Sequence, residues 1–272
     1  MRSILVHAFD DPCMEARLQA ALDLARRFDA HLTLVHAIPY EFGVPGDFYG
    51  SMVAEMITEF HRQAKDMKAK YEERMSKEDV RWDWRTFDGA VGHALIRLSP
   101  LADVLVVGAR SMFGTSIKPA YVANDLAGNV RPPILVVPEK VTGLKPDAPV
   151  TIAWNGSPEA GHAIQAAMPL LARASDVHVL CVDEDEKGRE KLPVEAAASY
   201  LARHDIECEI VNIDRGDDDG LIAKKLFEAS EHRRAEVMVA GAYGHSRFRE
   251  WVLGGVTRDI LHNPPISLMI SH

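Results

Sequence analysis

The sequence is short of cysteine, with three in 272 residues: Cys13, Cys181 and Cys208. An odd number with no close pair excludes a disulfide framework and the C-x-x-C spacing of a zinc or redox site. Twelve histidines are present, but no two stand four apart as one helical turn would need to share a metal. No apolar run approaches the ~20 residues of a membrane span. The opening MRSILVHAFDD has too short an apolar stretch for a signal peptide. The expectation is a cytoplasmic protein without a membrane contact. Positive charge is also scarce: 31 Lys and Arg against 40 Asp and Glu, a net charge of −9. A general nucleic-acid binder needs a basic face to displace counterions, so no nucleic-acid partner is expected. A local anion site is not excluded, because a few backbone N–H groups can hold a phosphate without net positive charge.

What the sequence does have is an internal repeat. ADVLVVGA (102–109), followed by RPPILVVP (131–138), returns as AEVMVAGA (235–242) followed by NPPISLMI (263–270). Gly108 and Gly241 are 133 apart, and Pro132 and Pro264 are 132 apart. The starts recur as well: SILVHAFDD (3–11) resembles VTIAWNGS (150–157), at an offset of 147. The first half therefore carries extra residues in its middle, and Pro39–Ser51, rich in Gly, Pro and aromatics, is where they are expected. Glu139–Pro149 has the Pro, Gly and charge content of a linker. The expected domains are residues 1–142 and 143–272.

Short apolar runs bounded by turn signals predict strands at Ile4–Ala8, Leu32–Ala37, Arg81–Phe87, Val104–Gly108 and Ile134–Val137. The second half repeats them at Val150–Ala153, Asp176–Cys181, Cys208–Asn212, Val237–Ala240 and Ile266–Ile270. Helical patterns at Glu15–Phe28, Met52–Lys77, Glu159–Leu171 and Leu221–His232 separate them. Strands alternating with helices predict an α/β fold: two tandem five-stranded parallel sheets, each in the order 3-2-1-4-5 and flanked by helices. Such sheets bind ligands beyond the strand C-termini where the order reverses, here between strands one and four.

At that place in the second half stands GAYGHSRFREWVLGGVT (241–257). It reads G-x2-G-x9-G-G. Gly241 ends the strand, and Gly244 allows a tight turn with positive φ. Gly254 and Gly255 precede a predicted helix that starts at Val256 and Thr257, so a phosphate could approach its N-terminal N–H groups without a Cβ in the way. His245, Ser246 and Arg247 add side-chain donors.

This pattern, together with the repeat, resembles the universal stress protein family in its bacterial tandem form, over nearly the whole chain. The family signature is G-x2-G-x9-G-[ST]. Gly241, Gly244 and Gly254 match it, and Gly255 stands where a hydroxyl residue is usual. The resemblance implies the adenine nucleotide alpha hydrolase-like fold and an ATP ligand, with or without Mg²⁺. It places Asn155 where the family has an acid at the end of strand one, and an asparagine carries no charge with which to arrange Mg²⁺. Ala153, Val182 and Ala240 would line the base or ribose. The first half keeps an acid, read as Asp10, but has Ser111 at the second glycine and no following G-G or G-S pair, which marks a degenerate copy. The family pairs its domains through their last strands, which implies an intramolecular pseudo-dimer; a homodimer is the further option.

Other features have plainer readings. Ser157 before Pro158 is a helix N-cap. GDDDG (216–220) is a solvated acidic turn, and Trp82 and Trp84 alternate as an edge or core strand does. No Walker lysine, catalytic base or acid pair lies near the loop, so a regulatory ATP-binding protein with at most weak hydrolysis is expected. Two alternatives stay open: a nucleotide-free scaffold acting through a dimer surface, and a nucleotidyl-transferring enzyme on the same fold.

Overall fold

A computed structural model describes residues 1–38, 50–113, 116–119, 121–182, 191–214, 222–242, 260–261 and 264–272. The first half runs β1 (Ser3–His7), α1 (Met14–Phe28), β2 (His31–Ile38), α2 (Gly50–Met75), β3 (Arg81–Asp88), α3 (Val91–Leu98) and β4 (Val104–Gly108). A hairpin of β5 (Arg110–Phe113) and β6 (Ser116–Pro119) follows, then α4 (Tyr121–Leu126) and β7 (Ile134–Val137). The second half runs β8 (Val150–Trp154), α5 (Pro158–Leu171), β9 (Val177–Val182), α6 (Val194–Ala202), β10 (Glu209–Ile213), α7 (Ile222–His232), β11 (Val237–Gly241) and β12 (Ser267–Ser271).

Within each half the five main strands run in the expected order 3-2-1-4-5, and all pairings among them are parallel. The two expected five-stranded sheets are one continuous sheet, joined through their last strands as the resemblance implies. β7 and β12 pair antiparallel, Leu268 opposite Val136, and fuse the halves into one ten-stranded sheet. Each last strand would otherwise present a row of unpaired N–H and C=O groups, and each covers the other. The apolar runs of the central strands are buried on both faces, as parallel strands between helix layers require. One layer packs α1 and α5 against Ile4, Val6, Val104, Ile152 and Val239. The other packs α3, α4 and α7 against Leu5, Leu105, Val107, Met238 and Leu268.

The segment between the halves is held in place. The N–H of Leu144 donates to Asp23 of α1 at 2.8 Å, the Leu144 side chain is buried, and Arg27 pairs with Asp147 at 2.6 Å. The sequence region read as the site of the first half's extra residues lies mostly outside the described residues. So does the acidic turn 216–220. No described helix is long and apolar enough to cross a membrane.

Candidate nucleotide site

Strands one and four of the second half, β8 and β11, are neighbours whose C-terminal ends open a crevice. Alternation along each strand decides what faces it. Ala153 on β8, Leu180 and Val182 on β9, and Ala240 at the end of β11 form the wall, with Ile222 and Leu226 of α7 and the helical residue Ile260 closing one side. Asn155 and Gly241 stand at the rim. The cavity is about 120 Å³, several times the ~30 Å³ that one water occupies. Most of the residues that line it are apolar, as a base pocket needs, with a small number of polar groups to fix orientation.

Five of the residues singled out from sequence, Ala153, Asn155, Val182, Ala240 and Gly241, are thus brought around one cavity. Gly244, His245, Ser246, Arg247, Gly254, Gly255, Val256 and Thr257 lie outside the described residues. Sequence reasoning missed Trp154, Leu180, Ile222, Leu226 and Ile260. Leu180 was legible in principle, because it and Val182 share a face of β9 at the two-residue strand period.

The rim is built by a short turn. Ser157 caps α5, its Oγ accepting from the Ala160 N–H at 3.2 Å. The Ser157 N–H in turn donates to Asn155 Oδ1 at 3.1 Å. Between them Gly156 has φ +74°, and a Cβ there would come within 2.6 Å of the Leu192 carbonyl. That carbonyl belongs to a segment tied back by Leu192 N–H donating to Gly156 O at 3.1 Å. Gly241 is required by packing: a Cβ would meet the Ala160 nitrogen and the Glu159 carbonyl carbon at 2.6 Å. Among the described residues, no group of three or more His, Cys, Asp or Glu could hold a metal ion.

The corresponding place in the first half is filled differently. Val6 pairs with Val106 as Ile152 pairs with Val239, so His7 and Val107 stand where Ala153 and Ala240 stand. A buried imidazole and a branched side chain replace two alanines. Burial pushes the His7 pKa well below its ordinary value, and the Arg17 guanidinium and His36 add to the depression. The same count sets Phe9, not Asp10, opposite Asn155. Asp10 is exposed and meets Lys70 at 3.3 Å. Beneath it Arg17 of α1 is fully buried. Its Nε donates to His7 O at 2.6 Å, Nη2 to Phe9 O at 2.8 Å, and Nη1 to both Asp11 oxygens at 3.0 Å. The guanidinium's fixed fork suits this set of acceptors. After β4 comes the β5–β6 hairpin rather than a glycine loop leading into a helix.

A doubly wound α/β unit repeated in one chain, with an apolar crevice at the switch point of the second copy, is the class of protein defined by this fold and site. The universal stress protein family model matches the chain twice, over residues 1–138 and 148–272. The chain belongs to that family. Two solved structures share its fold over essentially the whole length. A universal stress protein from Archaeoglobus fulgidus has a TM-score of 0.73 at 13% identity, covering 99% of this chain and 97% of that one. A protein of Pseudomonas aeruginosa assigned to the same family has a TM-score of 0.59 at 14% identity, covering 100% and 93%. No curated protein matches by sequence.

Proposed function

We propose that this universal stress protein binds an adenine nucleotide, ATP in the first instance, in its second half and serves as a regulatory module of the stress response. The observation that carries the reading is the apolar crevice between β8 and β11, which opens beside Gly241, the first glycine of the G-x2-G-x9-G segment. The base enters the cavity beside Ala153, Val182 and Ala240. The triphosphate extends over residues 244–257, where the glycines leave backbone N–H groups open to it and the sequence predicts a helix start. Asn155 offers no charge for Mg²⁺, so the metal enters with the nucleotide or not at all.

In this reading the first half is a folded companion without nucleotide. His7 and Val107 occupy the space that two alanines leave free in the second half, and the glycine loop is replaced by a hairpin. Calorimetric titration with ATP tests both statements. The expected outcome is one site per chain with micromolar affinity, about −8 kcal/mol. Two sites would remove the distinction between the halves. No binding at millimolar ATP would leave the nucleotide-free scaffold as the better account.

A further inference from the structure

Two grooves lie where a helix of one half meets the strand starts of the other, and the repeat relates them. One is bounded by Gln19 and Asp23 of α1 and by Ala235 and Glu236 just before β11. The other, of about 820 Å³, is bounded by Gln165 and Pro169 of α5 and by Ala102 and Asp103 just before β4. The offset that takes Val6 to Ile152 takes Gln19 to Gln165 and Asp23 to Pro169. The offset that takes Val106 to Val239 takes Ala102 to Ala235 and Asp103 to Glu236. The first groove is filled from within the chain. Residues 140–145 of the segment between the halves run along it, Leu144 is buried, and its N–H donates to Asp23 at 2.8 Å. No residue of that segment lines the second groove. There Pro169 stands in place of Asp23, so a carboxylate that holds a backbone N–H is exchanged for an apolar ring.

An unburied leucine stands on the lip of this second groove. Leu101 is 90% exposed, more than any other large hydrophobic side chain among the described residues. It ends the short 3₁₀ turn Ser99–Leu101, and its neighbours Pro100 and Ala102 line the groove. The turn is held rigid: the Ala102 N–H donates to Ser99 O at 2.9 Å, and Ser99 Oγ donates to Ile96 O at 2.9 Å. A preformed lip loses little freedom on association. The charged side chains of the lining are one of each sign, Asp103 and Arg131, so the net charge of −9 is not concentrated here. A lip beside a groove is self-complementary, because a two-fold rotation sets each lip into the other groove. We infer that this groove is a self-association surface: a second copy of this chain seats its Leu101 there, much as Leu144 is buried beside the twin groove, and gives its own groove to Leu101 in return. The inference is independent of the nucleotide reading.

Sedimentation equilibrium of the full chain, without nucleotide, tests it. The unaltered chain should fit a monomer–dimer equilibrium with a micromolar dissociation constant. Leu101→Asp leaves the fold alone, because Leu101 belongs to neither apolar layer. It should raise the dissociation constant about a hundredfold, since one leucine side chain is lost from each of two contacts. Leu101→Met keeps the size and polarity of the side chain and should keep the dimer. Ala166→Trp plugs the groove from its own wall, where Ala166 is half-buried, and should weaken the dimer while Leu101 is untouched. A chain that stays monomeric into the submillimolar range overturns the inference and leaves the groove to a segment of some other protein. A dimer with the same dissociation constant in Leu101→Asp overturns it as well. A dimer that loses stability in Leu101→Asp but not in Ala166→Trp places the seat of Leu101 elsewhere, and the groove assignment falls.

Discussion

Leu135 of β7 and Met269 of β12 face each other across the antiparallel junction, and they are equivalent residues of the two halves. Leu105 pairs with Ile134 as Met238 pairs with Leu268, which makes Leu135 the counterpart of Met269. The flanking pairs, Leu268 with Val136 and Ile270 with Ile134, exchange under the same relation. A pseudo-two-fold axis therefore passes between Leu135 and Met269, and the chain builds from one polypeptide the self-complementary contact of a symmetric dimer.

That contact is fully buried: Val136 and Leu268 are both 0% exposed. Val136→Asp combined with Leu268→Asp would place two like charges opposite each other in a dry interface. Unpaired buried charge has no compensation there, and several kcal/mol of stability should be lost. Thermal unfolding of the double variant should begin far below that of the unaltered chain. An unchanged melting temperature would mean that the junction does not hold the halves together.

Gly156→Ala tests the rim turn. A non-glycine residue in the left-handed region costs about 1–2 kcal/mol, and the new Cβ would also press on the Leu192 carbonyl. Urea unfolding should show a loss of at least that size. ATP affinity should fall as well, because the turn that carries Asn155 must shift. Unaltered stability would mean that the turn tolerates a left-handed alanine and has room for its Cβ.

Much of this was legible in the sequence, and the reasons differ by element. β4 at Val104–Gly108 and β7 at Ile134–Val137 coincide with their apolar runs, because a strand buried on both faces must be apolar throughout. Alternating strands and helices called for parallel sheets, and 3-2-1-4-5 is one of the common doubly wound orders they can take. The fusion into one sheet was visible only through the family resemblance, because residues 134 and 270 are far apart in sequence and their pairing leaves no local pattern. The β5–β6 hairpin was hidden for a related reason: its residues read as a loop that had lost its glycines. Arg17 was invisible too. An arginine in an amphipathic helix reads as solvated, and only the fold brings it under the His7 and Phe9 carbonyls. At the candidate site, Ala153, Asn155, Val182 and Ala240 were legible through the family resemblance, which places them at the ends of the strands around the switch point. The helix-borne wall, Ile222 and Leu226, was not.

The halves should respond differently to acid. His7 and His36 are buried in the first half, and burial pushes both pKa values below 6.5. Their counterparts in the second half are Ala153 and Cys181, which take up no proton on acidification. A base with a depressed folded pKa stabilises the fold above its unfolded pKa. That contribution is lost as pH falls from about 6.5 through the folded value, because the unfolded chain takes up protons first. The slope is at most about 1.4 kcal/mol per pH unit for each histidine. Asp11, raised by burial against the pull of Arg17, works in the opposite sense. Comparing urea midpoints at pH 7.5 and 5.5 isolates the histidines. The drop seen in the unaltered chain should shrink in His7→Ala combined with His36→Cys, whatever the variant's absolute stability. An equal drop in both would assign the acid sensitivity to other groups.

The glycine loop carries the most demanding prediction. Gly244 is read as the turn residue that needs a positive φ and leaves room for phosphate. Gly244→Val should abolish ATP binding while circular dichroism and urea stability stay near those of the unaltered chain, because position 244 follows the end of β11 in the sequence and falls in none of the apolar strand runs. Gly255→Ser should act oppositely. It restores the hydroxyl usual in the family and should tighten ATP by about 0.5–1.5 kcal/mol, the net value of one hydrogen bond. Asp10→Ala should leave ATP affinity unchanged, since Asp10 is exposed in the first half, where it pairs with Lys70. Titration of all three variants separates the readings by pattern. Loss, gain and no change in that order fit a phosphate loop confined to the second half. If Gly244→Val binds ATP like the unaltered chain, the phosphates lie elsewhere and the loop assignment fails. If Asp10→Ala weakens binding, the first half takes part after all.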